Sequence, residues 1–230
     1  HNLILLEDTA HSIDSTYKGK PLGSFGHFST FSFHETKNIS SGEGGLIVIN
    51  DEKYIKRAEI VWEKGTNRSA FSRGDVDKYE WVDVGASYAP SDMIAAFLFA
   101  QLSHLKKIQH TRINIWNRYY SNLLPLAKRG KIKIIEIPKF AINNGHVFYL
   151  LTANKNERNE LLDFLNENDV QAVFHYLPLH NSPYYKDLHT GEELKNTDLF
   201  SNTLIRLPLF YELPLDVVDL ICEKVEMFYR

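Results

Sequence analysis

Cysteine is nearly absent. The single Cys222 among 230 residues means that no disulfide can form within the chain. That excludes a disulfide-stapled secreted scaffold and fits a reducing compartment, the cytoplasm. Long apolar runs are missing too. The longest, Met93 to Ala100, is far short of the ~20 residues that a membrane-spanning helix needs. Neither sign of charge dominates: 26 Lys and Arg face 29 Asp and Glu, for a net charge of -3. Nucleic acid and anionic membrane surfaces are therefore not expected partners. Glycine and proline are modest, at 12 and 8, which excludes a collagen-like chain. What is present is a globular composition, 43% hydrophobic and 13% aromatic, enough for one or two packed domains. The first residue is His1, and an apolar run begins at Leu3 with no basic segment before it. We expect no signal peptide there, but a piece of a longer protein.

Hydrophobic periodicity divides the chain. Leu3 to Leu6 reads as a strand buried on both faces, ending in Glu7-Asp8. Acids at the carboxyl end of a strand stand where α/β sheets bind ligands. Phe28 to Phe33 reads as a second strand and Leu46 to Ile49 as a short buried one. Between them runs a polar, glycine-rich loop from His34 to Gly45. Asp51 is placed to cap a helix over residues 52–63. Residues 64–90 look irregular. From Ser91 or Asp92 a helix begins, with Ile94, Phe97, Leu98, Leu102 and Leu105 on one face, and helical character continues toward Leu124. That length predicts two helices or a kink. Strands are predicted at Ile132–Ile137, Val147–Thr152 and Val170–Phe174. Asn154 to Glu157 resembles a capping box before a helix that turns Leu161, Leu162 and Leu165 inward. A last helix starts near Leu215, with Val218, Ile221, Cys222, Val225 and Phe228 along one face. Residues 1–107 thus read as part of an α/β layer and 108–230 as a smaller α+β domain.

The chemistry concentrates between Glu7 and Gly45. Asp8 closes one strand, and Lys37 lies in the loop after the next, five residues beyond Ser32. A lysine amine and a carboxylate at the strand ends of one sheet suit pyridoxal phosphate. The amine can form a Schiff base with the cofactor aldehyde, the acid can hold the protonated pyridine nitrogen, and a serine hydroxyl can reach the phosphate. The same residues also suit a solvated loop and an ordinary strand end, so both readings stand on spacing alone.

Longer runs carry a resemblance. E-D-T-A-H-S-I-D-S-T-Y-K-G-K-P-L-G-S-F-G-H-F-S-T-F-S-F-H-E-T-K-N followed by S-G-E-G-G-L-I-V-I-N resembles the DegT/DnrJ/EryC1/StrS sugar aminotransferases. So do G-A-S-Y-A-P-S-D-M-I-A-A, F-H-Y-L-P-L-H and R-L-P-L-F-Y, so that the likeness covers nearly the whole chain. It implies an α/β fold, that of the type I, aspartate aminotransferase-like PLP-dependent transferases, with an incomplete large domain and a small C-terminal α+β domain. It implies pyridoxal 5'-phosphate as cofactor, bound by Asp8, His11, Ser32 and Lys37, with Lys37 also the catalytic base and Schiff-base residue. F-H-E-T-K-N, E-K-G-T-N-R-S and V-D-K-Y most resemble the members that aminate dTDP-4-keto-6-deoxy-D-glucose for the enterobacterial common antigen. Glutamate would be the amino donor, and the enzyme a cytoplasmic homodimer or higher homo-oligomer.

Two departures from the family pattern stand out. Gly85-Ala86-Ser87-Tyr88-Ala89 replaces a common G-x-N-Y-R, so no phosphate contact is assigned to Ser87. The family's segment before E-D, with its phosphate loop and ring-stacking aromatic, is not in this sequence. The chain alone is therefore expected to be inactive, and a non-catalytic remnant of the fold that serves in binding is the alternative. Other motifs are weaker. His175 and His180 flank a proline with no evident third metal ligand, and His180 is a candidate for the sugar site. Gly42 to Gly45 reads as a turn into a strand, Lys128 to Lys133 as a solvated basic cluster, and Cys222 as core.

Overall fold

The computed structural model describes all 230 residues, in two compact units. The first comprises His1–Lys106 and Phe140–Ile142, the second Lys107–Lys139 and Asn143–Arg230.

The first unit is organised by a three-stranded sheet. Its strands are β1 (Leu6–Asp8), β4 (Phe28–Ser32) and β5 (Gly45–Ile49), in the order β1-β4-β5. Two short strands, β2 (Thr16–Tyr17) and β3 (Lys20–Pro21), lie between β1 and β4. β1 runs parallel to β4 with Asp8 beside Thr30, and β5 runs antiparallel with Gly45 opposite Ser32. Because side chains alternate across a strand, the sheet has two distinct faces. Glu7, Ser29 and Phe31 share one. There the Ser29 hydroxyl donates to the Gly23 carbonyl, and the Glu7 carboxylate accepts from the backbone N–H groups of Gly23, Phe25 and Gly26 at 2.6–2.9 Å. Leu6, Asp8, Thr30, Ser32 and Ile47 share the other.

The expected buried strand at Leu3–Leu6 is corrected. Pairing starts only at Leu6, and Leu3 and Leu6 are 77% and 59% exposed. β1 has a strand neighbour on one side alone, and nothing in this chain covers its apolar face. The strand predicted at 46–49 exists, but Leu46 and Ile47 are exposed rather than buried, for the same reason. Of the buried apolar side chains, only Phe33 and Ile39 belong to this unit.

Glu7 makes a measurable prediction. Burial pushes its pKa up, but the three backbone donors outweigh this and hold it below the usual carboxylate range. The stabilisation is therefore complete above the unfolded pKa of about 4.3 and is lost as pH falls through the lower folded value. In the full-length protein Glu7→Gln is expected to cost about 1–2 kcal/mol at pH 7. In denaturant titrations that deficit should begin to shrink below the unfolded value of about 4.3 and vanish once pH lies below the lower folded value. A deficit that is constant across pH would contradict the role.

Asp51 caps as expected, its carboxylate accepting from the Lys53 N–H ahead of α1 (Ile55–Trp62). The stretch read as irregular holds one short helix, α2 (Arg68–Arg73). It is fastened from outside itself by the Glu63 carboxylate, which accepts from the Ser69 N–H and hydroxyl, while the Trp81 indole ties down the chain before it by donating to the Lys64 carbonyl. Gly65 has φ +78, and a Cβ there would collide with the Asp83 carbonyl, so glycine is required. Ser91 caps α3 (Asp92–Ser103), which breaks at His104 before α4 (Leu105–Lys128), the expected division into two helices. α3 is apolar nearly all round yet has no buried residue; Met93, Phe97 and Phe99 are exposed. A helix of that composition normally sits in a core.

α4 runs past Pro125, further than the sequence suggests. Interior proline costs a helix about 3 kcal/mol. Here Leu123 and Leu126 are fully buried, and their packing holds the last turn together. The strand predicted at Ile132–Ile137 contracts to β6 (Lys133–Ile134). β7 (Ala141–Ile142), unanticipated, pairs with β2 in the first unit. The second unit's sheet has the order β6-β8-β10-β9, with β8 (Phe148–Leu151), β9 (Val173–Phe174) and β10 (Leu204–Leu207). β9 is shorter than predicted, and β10 was not anticipated, nor was α6 (Lys195–Thr203) before it.

The other helices follow their patterns. Asn154 caps α5 (Lys155–Glu167) by accepting from Asn156 and Glu157 N–H, while the Glu157 carboxylate takes the Tyr229 hydroxyl. α7 (Leu215–Phe228) buries Val218, Ile221, Cys222 and Val225. These meet Tyr119 and Leu123 of α4, Leu161 and Leu165 of α5, and Phe148, Leu150 and Ile205 of the sheet in one core. Each such side chain contributes roughly 1.5–3 kcal/mol by burial. Cys222 is part of this core, its thiol pushed up to about 12 by burial, which fits packing and not nucleophilic chemistry. The buried Arg112 guanidinium donates to the carbonyls of Gly145, His146 and Leu209 and joins the chain entering β8 to the chain leaving β10.

Candidate active site

The site residues follow from the first sheet's register. Asp8 ends β1 and is exposed; its Oδ1 accepts from the Ala10 N–H at 3.1 Å. The next residue, buried Thr9, sends both its N–H and its hydroxyl to the Thr30 carbonyl, at 2.9 and 2.8 Å. That double contact fixes the direction in which the chain leaves the strand, and so the backbone carrying Asp8. His11 is exposed on the turn that follows.

Ser32 lies on the Asp8 face, two residues beyond Thr30. Strand spacings place its Cα about 8 Å from that of Asp8. The Ser32 hydroxyl oxygen accepts from the His34 N–H at 3.3 Å and keeps its own proton to donate. Gly45 stands directly opposite, so β5 offers no side chain there and leaves room beside the hydroxyl. Thr30 and Gly45 are members of this surface that residue spacing did not single out. The alternation in F-S-T-F-S was the signal available for Thr30.

Lys37 occupies the loop from β4 to β5. That loop is closed by Phe33 N–H to Gly44 O and Ser41 N–H to Phe33 O, both 2.8 Å. Fully buried Ile39 and buried Asn38 anchor it, and the Lys37 N–H donates to the His34 carbonyl at 2.9 Å. The half-buried Lys37 side chain takes part in none of the chain's ion pairs. One surface therefore carries a carboxylate and a hydroxyl donor with open space between strands, and an unpaired amine sits on the loop that leaves it. This donor set suits pyridoxal phosphate: an acid for the ring nitrogen, a hydroxyl for the phosphate, an amine for the aldehyde.

His180 belongs to the second unit, in a turn of 3₁₀ helix at Leu179–Asn181. Its Nε2 is 3.1 Å from Asp198 Oδ1, which also accepts from the Asn181 amide at 2.8 Å. The imidazole is thus held in place by its own unit.

Comparison with known proteins agrees in one direction. The DegT/DnrJ/EryC1/StrS aminotransferase family matches residues 1–226. GDP-perosamine synthase of Vibrio cholerae is 29% identical over 236 residues, covering 100% of this chain and 60% of its own. Among solved structures, Spr1654 of Streptococcus pneumoniae, described as a sugar aminotransferase, superposes in its PMP form with a TM-score of 0.85. Its identity is 26%, and the match covers 98% of this chain and 59% of that one. An aminotransferase from Psychrobacter cryohalolentis reaches a TM-score of 0.90 at 20% identity, covering 100% and 62%, and supports the fold alone. The chain spans about three fifths of the length of the curated relatives it matches.

Proposed function

We propose, from the premise that this chain belongs to the DegT/DnrJ/EryC1/StrS aminotransferase family, that it carries the lysine-bearing part of a cytoplasmic enzyme that aminates a nucleotide-linked 4-keto-6-deoxy sugar. The fold is α/β, of the type I class of pyridoxal-phosphate transferases to which its solved neighbours belong. The observation that carries the reading is the surface shared by Asp8, Thr30 and Ser32, with Lys37 on the loop that leaves it. Relatives solved in PLP and PMP forms support pyridoxal phosphate as the cofactor. When bound, that group supplies a carbonyl for amines and a ring that draws electrons from the reacting carbon.

The chain's own residues would supply the rest. Lys37 would hold the cofactor covalently between turnovers and carry a proton between donor carbon and cofactor, as general base and then acid. Asp8 would keep the ring nitrogen protonated by pairing with it. Ser32 would donate to a phosphate oxygen, and His11 would lie beside the ring. His180, steadied by Asp198, would contact the sugar. The amino donor would be glutamate and the acceptor dTDP-4-keto-6-deoxy-D-glucose, serving cell-surface polysaccharide or antigen synthesis in a homodimer or larger homo-oligomer. The likeness to GDP-perosamine synthase makes the nucleotide the point to test.

The experiment is 2-oxoglutarate release from glutamate by the full-length protein, with dTDP-, GDP- and UDP-linked 4-keto-6-deoxy sugars. We expect kcat/KM to be at least tenfold higher for the dTDP sugar, about 1.4 kcal/mol of discrimination. A GDP preference would move the substrate assignment. No transfer with any sugar would overturn the enzymatic reading in favour of a non-catalytic binding module.

A further inference from the structure

The segment from Ser32 to Lys37 is held by a chain of local hydrogen bonds, and His34 takes part in each of them. Its N–H donates to the Ser32 hydroxyl at 3.3 Å, and its carbonyl accepts from the Lys37 N–H at 2.9 Å. The second contact closes a four-residue turn, His34-Glu35-Thr36-Lys37. The first position of such a turn favours Asp, Asn or Ser, and an Asp or Asn there accepts from the N–H two residues on. Here an imidazole stands in for that side chain. His34 Nδ1 accepts from the Thr36 N–H at 3.3 Å and lies 3.0 Å from the Thr36 hydroxyl. A backbone N–H can only donate, so Nδ1 is the unprotonated nitrogen, the hydroxyl donates to it as well, and the ring proton is on Nε2. Nε2 faces Glu43 Oε1, near the far end of the loop, at 3.7 Å. These two arms are unequal. The Glu43 side chain is 82% exposed, and an exposed pair at that distance is worth little. On the Thr36 side two donors converge on one acceptor within the turn itself.

We infer that His34 is a positioning residue for Lys37 and that its Nδ1 is the atom responsible; the inference rests on the role proposed for Lys37 above. Ser32 is fixed by the pairing of β4 with β5. Beyond it, Glu35 and Thr36 are exposed, so no packing holds the two residues that precede the lysine. Buried Asn38 and Ile39 anchor the loop only after it. Without the imidazole acceptor the turn keeps one backbone hydrogen bond, and the Lys37 backbone gains freedom to shift. A displacement of about 1 Å in a reacting group can cost ~100-fold in rate. His34 bonds the backbone of Lys37, so it acts on the amine through the turn.

The test compares His34→Ala with His34→Asn in the full-length protein. The Asn side chain offers Oδ1 where His34 has Nδ1 but ends short of Glu43. Amide exchange without added cofactor reads the turn directly. His34→Ala is expected to speed exchange at Lys37 about three- to tenfold, while Phe33, bonded to the Gly44 carbonyl, keeps its protection. In turnover of the holoenzyme, kcat should fall about 10- to 100-fold with KM for the nucleotide sugar within about twofold. His34→Asn should bring both readings back to within about threefold of wild type, and Glu43→Gln should leave them within about twofold. Thr36→Val, which removes only the hydroxyl donor, should lower kcat about threefold and stands in if the alanine variant loses its Phe33 protection. Equal losses in the Asn and Ala variants, or a loss in Glu43→Gln as large as in His34→Ala, would take the role from Nδ1 and overturn the inference. A raised KM at constant kcat would make His34 a substrate contact, and faster exchange at constant kcat would leave a turn that positions nothing; either overturns it too. Unchanged exchange and kcat in His34→Ala, with amino transfer by the wild type intact, removes His34 and leaves the aminotransferase reading standing. If exchange follows the Ala and Asn variants as expected but the wild type transfers no amino group, the turn stands and that reading falls.

Discussion

Lys37→Ala in the full-length protein is expected to lower amino transfer by at least about a thousandfold, within the range for loss of a positioned proton carrier that is also the nucleophile. The position supports this magnitude. The loop is pinned by Ile39 and by hydrogen bonds at both ends, so no neighbouring lysine can slide into register. The nearest lysines in sequence, Lys20 and Lys53, sit on β3 and in the turn before α1, and Lys53 is paired with Asp51 at 2.8 Å. Borohydride reduction of the wild-type holoenzyme followed by peptide mapping should place the pyridoxyl group on Lys37. Label on any other lysine sinks the assignment. Asp8→Ala is the contrasting variant. It keeps the amine, so covalent attachment should survive, while turnover falls because nothing holds the ring nitrogen in its charged form. Near-normal turnover by a folded Asp8→Ala protein would remove Asp8 from the site.

Much of the second unit was legible because its pattern and its packing agree. Val218, Ile221, Cys222 and Val225 recur at helical spacing, and all four are buried. The same holds for Leu161, Leu162 and Leu165 behind the Asn154 cap. β10 was not legible. L-I-R-L places an arginine inside an apolar run, and only the sheet shows that Ile205 and Leu207 point one way and Arg206 the other. In the first unit the patterns were correct about element type and wrong about burial. Leu3–Leu6 and Leu46–Ile49 read as buried strands and α3 as a helix with one apolar face, and here Leu3 to Leu6, Leu46, Ile47 and Met93, Phe97 and Phe99 of α3 are exposed. Sequence reports the environment a segment was selected for, whichever atoms supply that environment. The candidate site was legible in its residue types, Asp8, Ser32 and Lys37, but not in its geometry. The shared face depends on a register that pairs Asp8 with Thr30, which spacing in one chain cannot fix.

That mismatch leads to the second large effect. Residues 1–230 expressed alone are expected to show no measurable amino transfer and to aggregate when concentrated. The proposed lysine, acid and one phosphate hydroxyl are present, but a phosphate carrying about two negative charges needs several positioned donors, commonly at a helix N-terminus. Ser32 supplies one. The exposed apolar surface points the same way. Leu3, Ile4 and Leu5, just before β1, and Leu6 at its start are 52–77% exposed beside the open edge of that strand, and Met93 and Phe99 of α3 reach 84% and 74%. An unpaired strand edge beside contiguous apolar side chains is a template for association. The second unit, with its closed core of α4, α5, α7 and the sheet, is expected to stay folded and so to confine the problem to the first. Two measurements check this: visible absorbance after adding pyridoxal phosphate, and sedimentation across a concentration series. The expected results are no stable yellow complex and a growing fraction of large species. Hydrogen exchange should protect amides of α4, α5 and α7 while those of β1, β5 and α3 exchange quickly. A soluble, monodisperse, yellow and active chain would show that the exposed faces of β1, β5 and α3 need no further cover and that the Asp8 surface holds the cofactor unaided.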